Sequence, residues 1–370
     1  MYVLVSKEAI IRPYEKGDEE EIVRLLQTVF VGWPKFDLQC SSLDHWKWKY
    51  LDNPLKLNAV ALAEYDGKLV GCNHGVYSKL KMGDKSLLAQ QGGDLAIEKD
   101  FRGMKLLPKM QEVKDKLAYE RKANIGYSLS NHPIVLRGEL RSRLQFPHNL
   151  KHKMKIKDIE HHLKMAESPD FRNKISYNTL NMMNRINKLF TSIPDKKTKD
   201  IEIERINEFG ENIDVFWSKV KGRYNFIFER DRSFLNWRYC DKRGGNFIIN
   251  QASEGENIVG YSVIRINKLR KEYPVGFVAD LITLPNRLDV SEILLKEIDE
   301  HLSKQKVNII HSIAITGNIK DKLLIKHGYL TYLEKYYLLY SPYDLGNEHD
   351  VFIKSTPNRL HFEYGDLDWI

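Results

Sequence analysis

Hydrophobic and polar positions divide the chain into elements before any residue chemistry is considered. Residues 9–14 (AIIRPY) alternate as a short strand, and Asp18 stands where it can cap a helix over residues 19–30. In that helix Ile22, Val23, Leu25, Leu26 and Val29 recur at helical spacing. Ser41 or Ser42 caps a second helix, LDHWKWKYLDN, which Pro54 stops. Strand-like runs follow at 59–65 and 68–78, joined by the hairpin pair Asp66-Gly67, and a turn at Met82-Gly83-Asp84 leads into a strand over 86–98. A long helix over 103–122, an apolar strand at 124–130 and a helix over 134–144 complete a mixed α/β unit closing near residue 150.

From 148 to 200 lysine, histidine and asparagine dominate, with helical spacing over 175–190 and a turn at Ile193-Pro194-Asp195. The basic run 148–157 (HNLKHKMKIK) reads as a solvated linker. A strand-like segment at 201–209 then restarts the pattern, and the two halves overlay. Trp48-Lys49-Tyr50 matches Trp237-Arg238-Tyr239. Gly71 and Gly260 each lie 23 residues beyond the tryptophan of their half, Asp94 and Asp280 lie 46 and 43 beyond it, and Asn131 and Asn318 lie 83 and 81 beyond it. Four ordered anchors with nearly equal offsets indicate a tandem duplication. The expected organisation is a first domain at 1–150, a connector at 151–200 and a second domain at 201–370, each a twisted mixed sheet flanked by helices. Residues 332–342 (YLEKYYLLYSP) supply the closing strands expected for the second domain.

Composition narrows the class. With 42% hydrophobic and 11% aromatic residues in 370, a large core can be buried, which excludes wholesale disorder. The 58 Lys+Arg against 50 Asp+Glu give a net charge of +8, spread along the chain. That surplus suits an anionic small ligand and argues against nucleic acid as a partner. Cys40, Cys72 and Cys240 are far apart and form no CxxC pair, so neither a disulfide framework nor a cysteine zinc site is expected. No signal-type or membrane-length apolar stretch is visible, so a cytoplasmic protein without a membrane partner is expected.

The strand ending in LAIEKD, followed by FRGMKLL and a helix, resembles the coenzyme-A site of the GNAT N-acetyltransferase superfamily, and the duplicated pattern resembles its tandem, two-copy subgroup. The family signature is Arg/Gln-x-x-Gly-x-Gly/Ala at a helix N-terminus, where small residues let backbone N–H groups reach a pyrophosphate and the helix dipole favours the anion. Arg102 and Gly103 fit it, whereas Lys105 and Leu107 stand at its two small positions; a register shifted by two places Gly103 at the first and Asp100 where Arg or Gln belongs. The resemblance implies acetyl-CoA or another acyl-CoA as co-substrate, held by Leu95, Ile97, Arg102, Gly103, Met104, Lys105, Leu106 and Leu107, with Asn131 on the pantetheine arm. The second half, DLITLPNRLDV, has no glycine in the corresponding turn and reads as structural or substrate-shaping.

Acyl transfer from a thioester to an amine by direct attack needs a base, a polarised carbonyl and a proton for the thiolate, but no nucleophilic serine or cysteine. Asp94 is the first candidate base and Glu98 the second, with His132 as a candidate for proton work. The tyrosine that the resemblance implies about seven residues after the asparagine is missing, since those positions are Gly138 and Ile325. Cys72 reads as a small core residue. The aromatic clusters Trp46, Trp48, Tyr50 and Phe234, Trp237, Tyr239 read as packing against the sheet or between the halves. In relatives of the Eis type the chain terminus enters the active site, but the tail from Asp366 onward is expected to be exposed. The leading expectation is an N-acyltransferase acting on a primary amine of a small metabolite such as an amino sugar or amino acid, without a metal. The alternatives are an inactive GNAT-like protein that binds acyl-CoA or a protein partner, and a FemAB-like aminoacyl transferase.

Overall fold

The computed structural model describes residues 8–130, 136, 138, 140–165, 200–331 and 336–367. Asn131, His132, residues 134, 135, 137 and 139 of the helix expected at 134–144, the helix expected at 175–190 and the turn at 193–195 lie outside them. Strands β1 (Ile10–Pro13), β2 (Asn58–Tyr65), β3 (Lys68–Met82), β4 (Lys85–Ile97), β5 (Ile125–Ser130) and β6 (Leu144–Gln145) come from the first half. They are followed by β7 (Leu150–Ile156), β8 (Glu202–Ile206), β9 (Phe226–Phe228), β10 (Phe247–Glu254), β11 (Asn257–Asn267), β12 (Val275–Thr283), β13 (Ile309–Ile315), β14 (Leu330–Thr331) and β15 (Tyr337–Pro342). The first sheet runs β1-β2-β3-β4-β5-β15-β6, with β9 added to β3, and the second runs β8-β10-β11-β12-β13-β7-β14. The orders correspond position by position. In each, the fourth and fifth strands pair parallel over three residues, β4 with β5 and β12 with β13, while their neighbours pair antiparallel.

Local chemistry accounts for most elements. Asp66 and Gly67 adopt φ of 52° and 74°, the geometry of a two-residue hairpin turn. Helix α2 (Ser42–Tyr50) is capped by Ser41, whose Oγ accepts from the Asp44 N–H at 3.0 Å. Helix α1 (Glu19–Val29) buries Ile22, Val23, Leu25 and Leu26 as its spacing requires. Its expected cap fails, because the Asp18 carboxylate is taken instead by the Arg12 guanidinium at 2.8 and 2.9 Å. Even-numbered residues of β2 (Val60, Leu62) pack with α1 and α2, and odd-numbered ones (Ala61, Ala63) pack with helix α3 (Leu106–Glu120), so helices cover both faces of the first sheet.

The closing strands are exchanged between the sheets. Residues 337–342, expected in the second half's sheet, pair with β5 and β6 in the first. Leu150–Ile156, expected as solvated linker, is β7 and pairs with β13 over seven residues. An open β5 edge would leave a row of unpaired N–H and C=O groups, and a strand from the other half satisfies them. The basic run hides a fully buried Lys153, which is paired with Asp321 and donates to Thr331 Oγ1 at 3.1 Å. A buried lysine survives only because of such partners.

A fragment ending at residue 150 therefore lacks β15 and exposes the β5 edge. It is expected to lack a cooperative urea transition and to self-associate in gel filtration, whereas the whole chain unfolds cooperatively.

Candidate active site

The third and fourth strands of the first sheet slip register between Cys72 and His74, which throws out a bulge at Asp94. Asp94 sits at φ 41°, a left-handed conformation that is strained for a side-chain-bearing residue and is held here by its neighbours. Its Oδ1 accepts from Trp33 Nε1 at 2.8 Å, and its Oδ2 accepts from Lys49 Nζ at 2.7 Å and Tyr50 OH at 2.5 Å. Its backbone carbonyl accepts from His74 Nδ1 at 2.9 Å, and His74 Nε2 accepts from Trp46 Nε1 at 3.1 Å, which fixes the neutral tautomer. Burial pushes the Asp94 carboxyl up most strongly, but the Lys49 ammonium and the hydrogen bonds from Lys49 and Tyr50 act with the other charge around it to hold the group well below the usual carboxylate range. Such a carboxylate is ionised and rigid, but weakly basic.

The second half repeats the arrangement with different partners. β11 and β12 slip register between Val263 and Ile264, beside Asp280. Tyr239 OH donates to Asp280 Oδ2 at 3.3 Å, as Tyr50 does to Asp94. Arg230 and Tyr261 add hydrogen bonds to the same oxygen at 3.0 and 3.1 Å. The two aromatic triplets meet between the halves. Trp48 and Trp237 stack at 4.9 Å, and each indole N–H donates to the other's carbonyl, at 3.0 and 3.1 Å.

β4 pairs with β5 only as far as Gln91 and Tyr127, and the two strands then part. Leu95 and Ile97 lie on the parted stretch and pack beside Leu106 and Met110 of α3. A tight turn follows in which Arg102, Gly103, Met104 and Lys105 are exposed. Gly103 (φ 97°) and Lys105 (φ 56°) are both left-handed, and a Cβ at Gly103 would meet nothing within 4 Å. Lys105 is the N-cap of α3 without a side-chain cap, and the first turn carries no acidic residue, so its N-terminal field is uncompensated. Leu106 is buried and Leu107 half-exposed. Arg102 Nε donates to the Ile97 carbonyl at 3.2 Å, folding that side chain back on the strand end. Glu98 begins the turn, its N–H bonded to the Val70 carbonyl at 2.9 Å.

Beside Asp94 a cavity lies between β4 and the segment joining α1 to α2, lined by Trp33, Phe36, His45, Lys49 and Gly93. It shares Phe36, His45 and Lys49 with a second cavity between the halves, walled by Trp48, Phe228, Phe234 and Trp237. The His45 ring donates from Nδ1 to the Arg243 carbonyl at 2.7 Å. Burial pushes His45 down to about 3, so the ring is neutral. The tail, expected to be exposed, turns inward. Arg238 donates to the carbonyls of Gly365 and Leu367 at 3.1 and 2.8 Å, Tyr127 OH donates to the Asp366 carbonyl at 2.8 Å, and the Asp366 carboxylate pairs with Arg230 at 2.8 Å. Gly365 permits this approach, since a Cβ there would lie 1.8 Å from Tyr239 Oη. Phe362, Tyr364 and Leu367 join the large apolar core, and the Asp366–Arg230 pair adds to that burial.

Asp94 and the turn at 102–107 are thus carried by one strand and the turn that follows it. Lys49, Tyr50, Trp33, His45 and His74 were missed by sequence reasoning. The aligned triplets carried a signal for Lys49 and Tyr50, because a cation-tyrosine pair and an aspartate recur together in both halves; nothing local marks Trp33, His45 or His74.

No protein-family model matches the chain, and no curated protein sequence matches it. Solved structures do. One from Enterococcus faecalis V583, described as a conserved protein of unknown function and probable N-acyltransferase, is 11% identical with a TM-score of 0.61, over 91% of this chain and 73% of that one. Saccharomyces cerevisiae N-myristoyltransferase with bound myristoyl-CoA is 12% identical with a TM-score of 0.58, over 92% of this chain and 80% of that one. The chain accordingly shares the overall fold of these structures. Here it is a mixed α/β structure whose two flanked sheets fit two GNAT-like domains. Among the described residues no helix is long and apolar enough to cross a membrane.

Burial pushes His74 down to about 4, whereas an unfolded histidine titrates near ~6.5. Between those values the unfolded chain binds the extra proton, so stability falls as pH drops through that window. At pH 5 this costs about 2 kcal/mol relative to pH 7.5 for His74. The urea midpoint is expected to be lower at pH 5, and His74→Gln is expected to remove about that much of the difference.

Proposed function

We propose that the protein is an acyltransferase that moves an acyl group from acyl-CoA to a primary amine by direct attack. The observation that carries this reading is the parting of β4 from β5 after Gln91 and Tyr127, which leads into the uncapped, left-handed turn at the N-terminus of α3. An exposed backbone turn at a positive helix end is an anion site, and Arg102 and Lys105 add cationic side chains beside it. The parted strand around Leu95 and Ile97 would lie along the pantetheine arm, which brings the thioester to the bulge at Asp94. The chain is best read as a tandem duplication whose first half holds the co-substrate.

The amine of a small metabolite would enter the aromatic-walled cleft between the halves, where ring faces favour a cationic group before it is deprotonated. Attack forms the N–C bond, the C–S bond breaks, and the thiolate takes a proton from solvent. Asp94 serves this step by fixing Lys49, Tyr50 and Trp33 around the bulge, because both its oxygens already accept hydrogen bonds. The nitrogen, made cationic and acidic by attack, loses its proton to solvent. A second reading, an acyl-CoA-binding protein without catalysis, draws on the side chains Lys105 and Leu107 in the turn and on the weak basicity of Asp94.

Thiol release from acyl-CoA, measured over an amine panel, tests the proposal. Turnover is expected, with Asp94→Asn lowering kcat/KM about 100-fold. The double change Arg102→Ala, Lys105→Ala is expected to raise KM for acyl-CoA about 10-fold with kcat held, as for lost uniform binding. Tight acyl-CoA binding without turnover of any amine favours the second reading.

A further inference from the structure

In the second half three buried atoms converge beneath the inward-turned tail without a hydrogen-bond partner: Asp280 Oδ1, Glu363 Oε1 and His361 Nε2. Asp280 and Glu363 are fully buried and His361 is 7% exposed. One ligand atom from each lies within 4.8 Å of the others. The paired oxygens are not free. Asp280 Oδ2 accepts from Arg230, Tyr239 and Tyr261, and Glu363 Oε2 accepts from Lys320. Each carboxylate is therefore gripped through one oxygen and turns the other toward the same point as His361. Buried acceptors left in this state cost free energy, unless a cation completes them.

We propose that Asp280, His361 and Glu363 bind a divalent transition-metal ion of the zinc type. Two carboxylate oxygens and one imidazole nitrogen suit such an ion. His361 Nε2 and Glu363 Oε1 are 3.7 Å apart, too far for a hydrogen bond. Two ligands each about 2.1 Å from one ion are at most about 4.2 Å apart, so that separation fits a shared ion. His361 and Glu363 stand two apart in the tail, which has extended backbone at Leu360 and Glu363, so their side chains leave the same side. Arg230, Tyr239, Tyr261 and Lys320 hold the outer oxygens, as partners of metal-ligating carboxylates do. Charge agrees in sign: three buried carboxylates (Asp280, Glu363, Asp366) face two cations (Arg230, Lys320), which leaves one negative charge over. A cavity of about 220 Å³, lined by His361, Glu363 and Lys320, gives the ion a way in and leaves room for water as a further ligand. The ion pins the tail to β12 and thereby sets where residues 364–367 meet the cleft.

The test uses the whole chain, stripped with chelator and titrated with Zn²⁺ by calorimetry against a competing chelator, and separately loaded with Co²⁺. One Zn²⁺ per chain is expected, together with a visible Co²⁺ absorption band that Zn²⁺ abolishes. His361→Ala and Glu363→Gln are expected to weaken Zn²⁺ binding at least 100-fold, and Lys320→Met about 10-fold, the scale for a residue that supports a ligand. No stoichiometric Zn²⁺ uptake by the unaltered chain overturns the proposal and leaves the surplus charge to a proton. Uptake unchanged in both His361→Ala and Glu363→Gln overturns it as well. Should those variants fail to fold, the Co²⁺ band of the unaltered chain decides by its presence or absence.

Discussion

Trp48 and Trp237 lie face to face between the halves, and each indole N–H is bonded to the other's backbone carbonyl. A stacked aromatic pair and two hydrogen bonds are worth only a few kcal/mol (~1 kcal/mol each), so their importance is geometric. The reciprocal contact sets two short helical segments in one fixed relation. Two residues beyond each tryptophan a tyrosine reaches an aspartate on a bulged strand, Tyr50 to Asp94 and Tyr239 to Asp280. The stacked pair therefore registers both carboxylates against each other and defines the walls of the cleft. The exchanged strands β7 and β15 reinforce the relation, since neither sheet is complete without the other half of the chain.

From this common frame the halves diverge through a few side chains. Beside Asp94 stand a lysine, a tryptophan and an open cavity, and the following turn has a glycine with free space around it. Beside Asp280 stand an arginine and a second tyrosine, and the tail covers it. The residue after each tryptophan shows the switch. Lys49 turns to the carboxylate of its own half, whereas Arg238 turns to the tail carbonyls. A lysine delivers one point charge, and a guanidinium fork can hold two carbonyls at once. An open cavity thus adjoins the aspartate of one half, whereas the tail lies over the aspartate of the other.

Local patterns carried the elements and tertiary contacts carried the site. Ser41, the Asp66-Gly67 pair and the helical spacing of Ile22, Val23, Leu25 and Leu26 act within a few residues, so they were legible in the chain. Asp18 shows the limit of such reading, because a guanidinium six residues away outcompeted the helix it preceded. The bulge at Asp94 could be suspected from the Gly92-Gly93 pair only in hindsight. Lys49, His45 and His74 are polar residues buried by partners distant in sequence, and periodicity says nothing of partners.

The sequence by itself determined the mixed α/β class and the turn at the head of α3, and its internal similarity pointed to the matching strand orders of the two sheets. These rest on backbone propensity, spacing and internal similarity, all of which are properties of neighbouring residues or of repetition. Only the tertiary structure decided that β7 and β15 change sheets, that the basic run hides Lys153, and that the tail folds in over Asp280. Each of those choices depends on satisfying a sheet edge or a buried charge with a group far along the chain. That energy exists only once the distant group has arrived, so no local pattern records it.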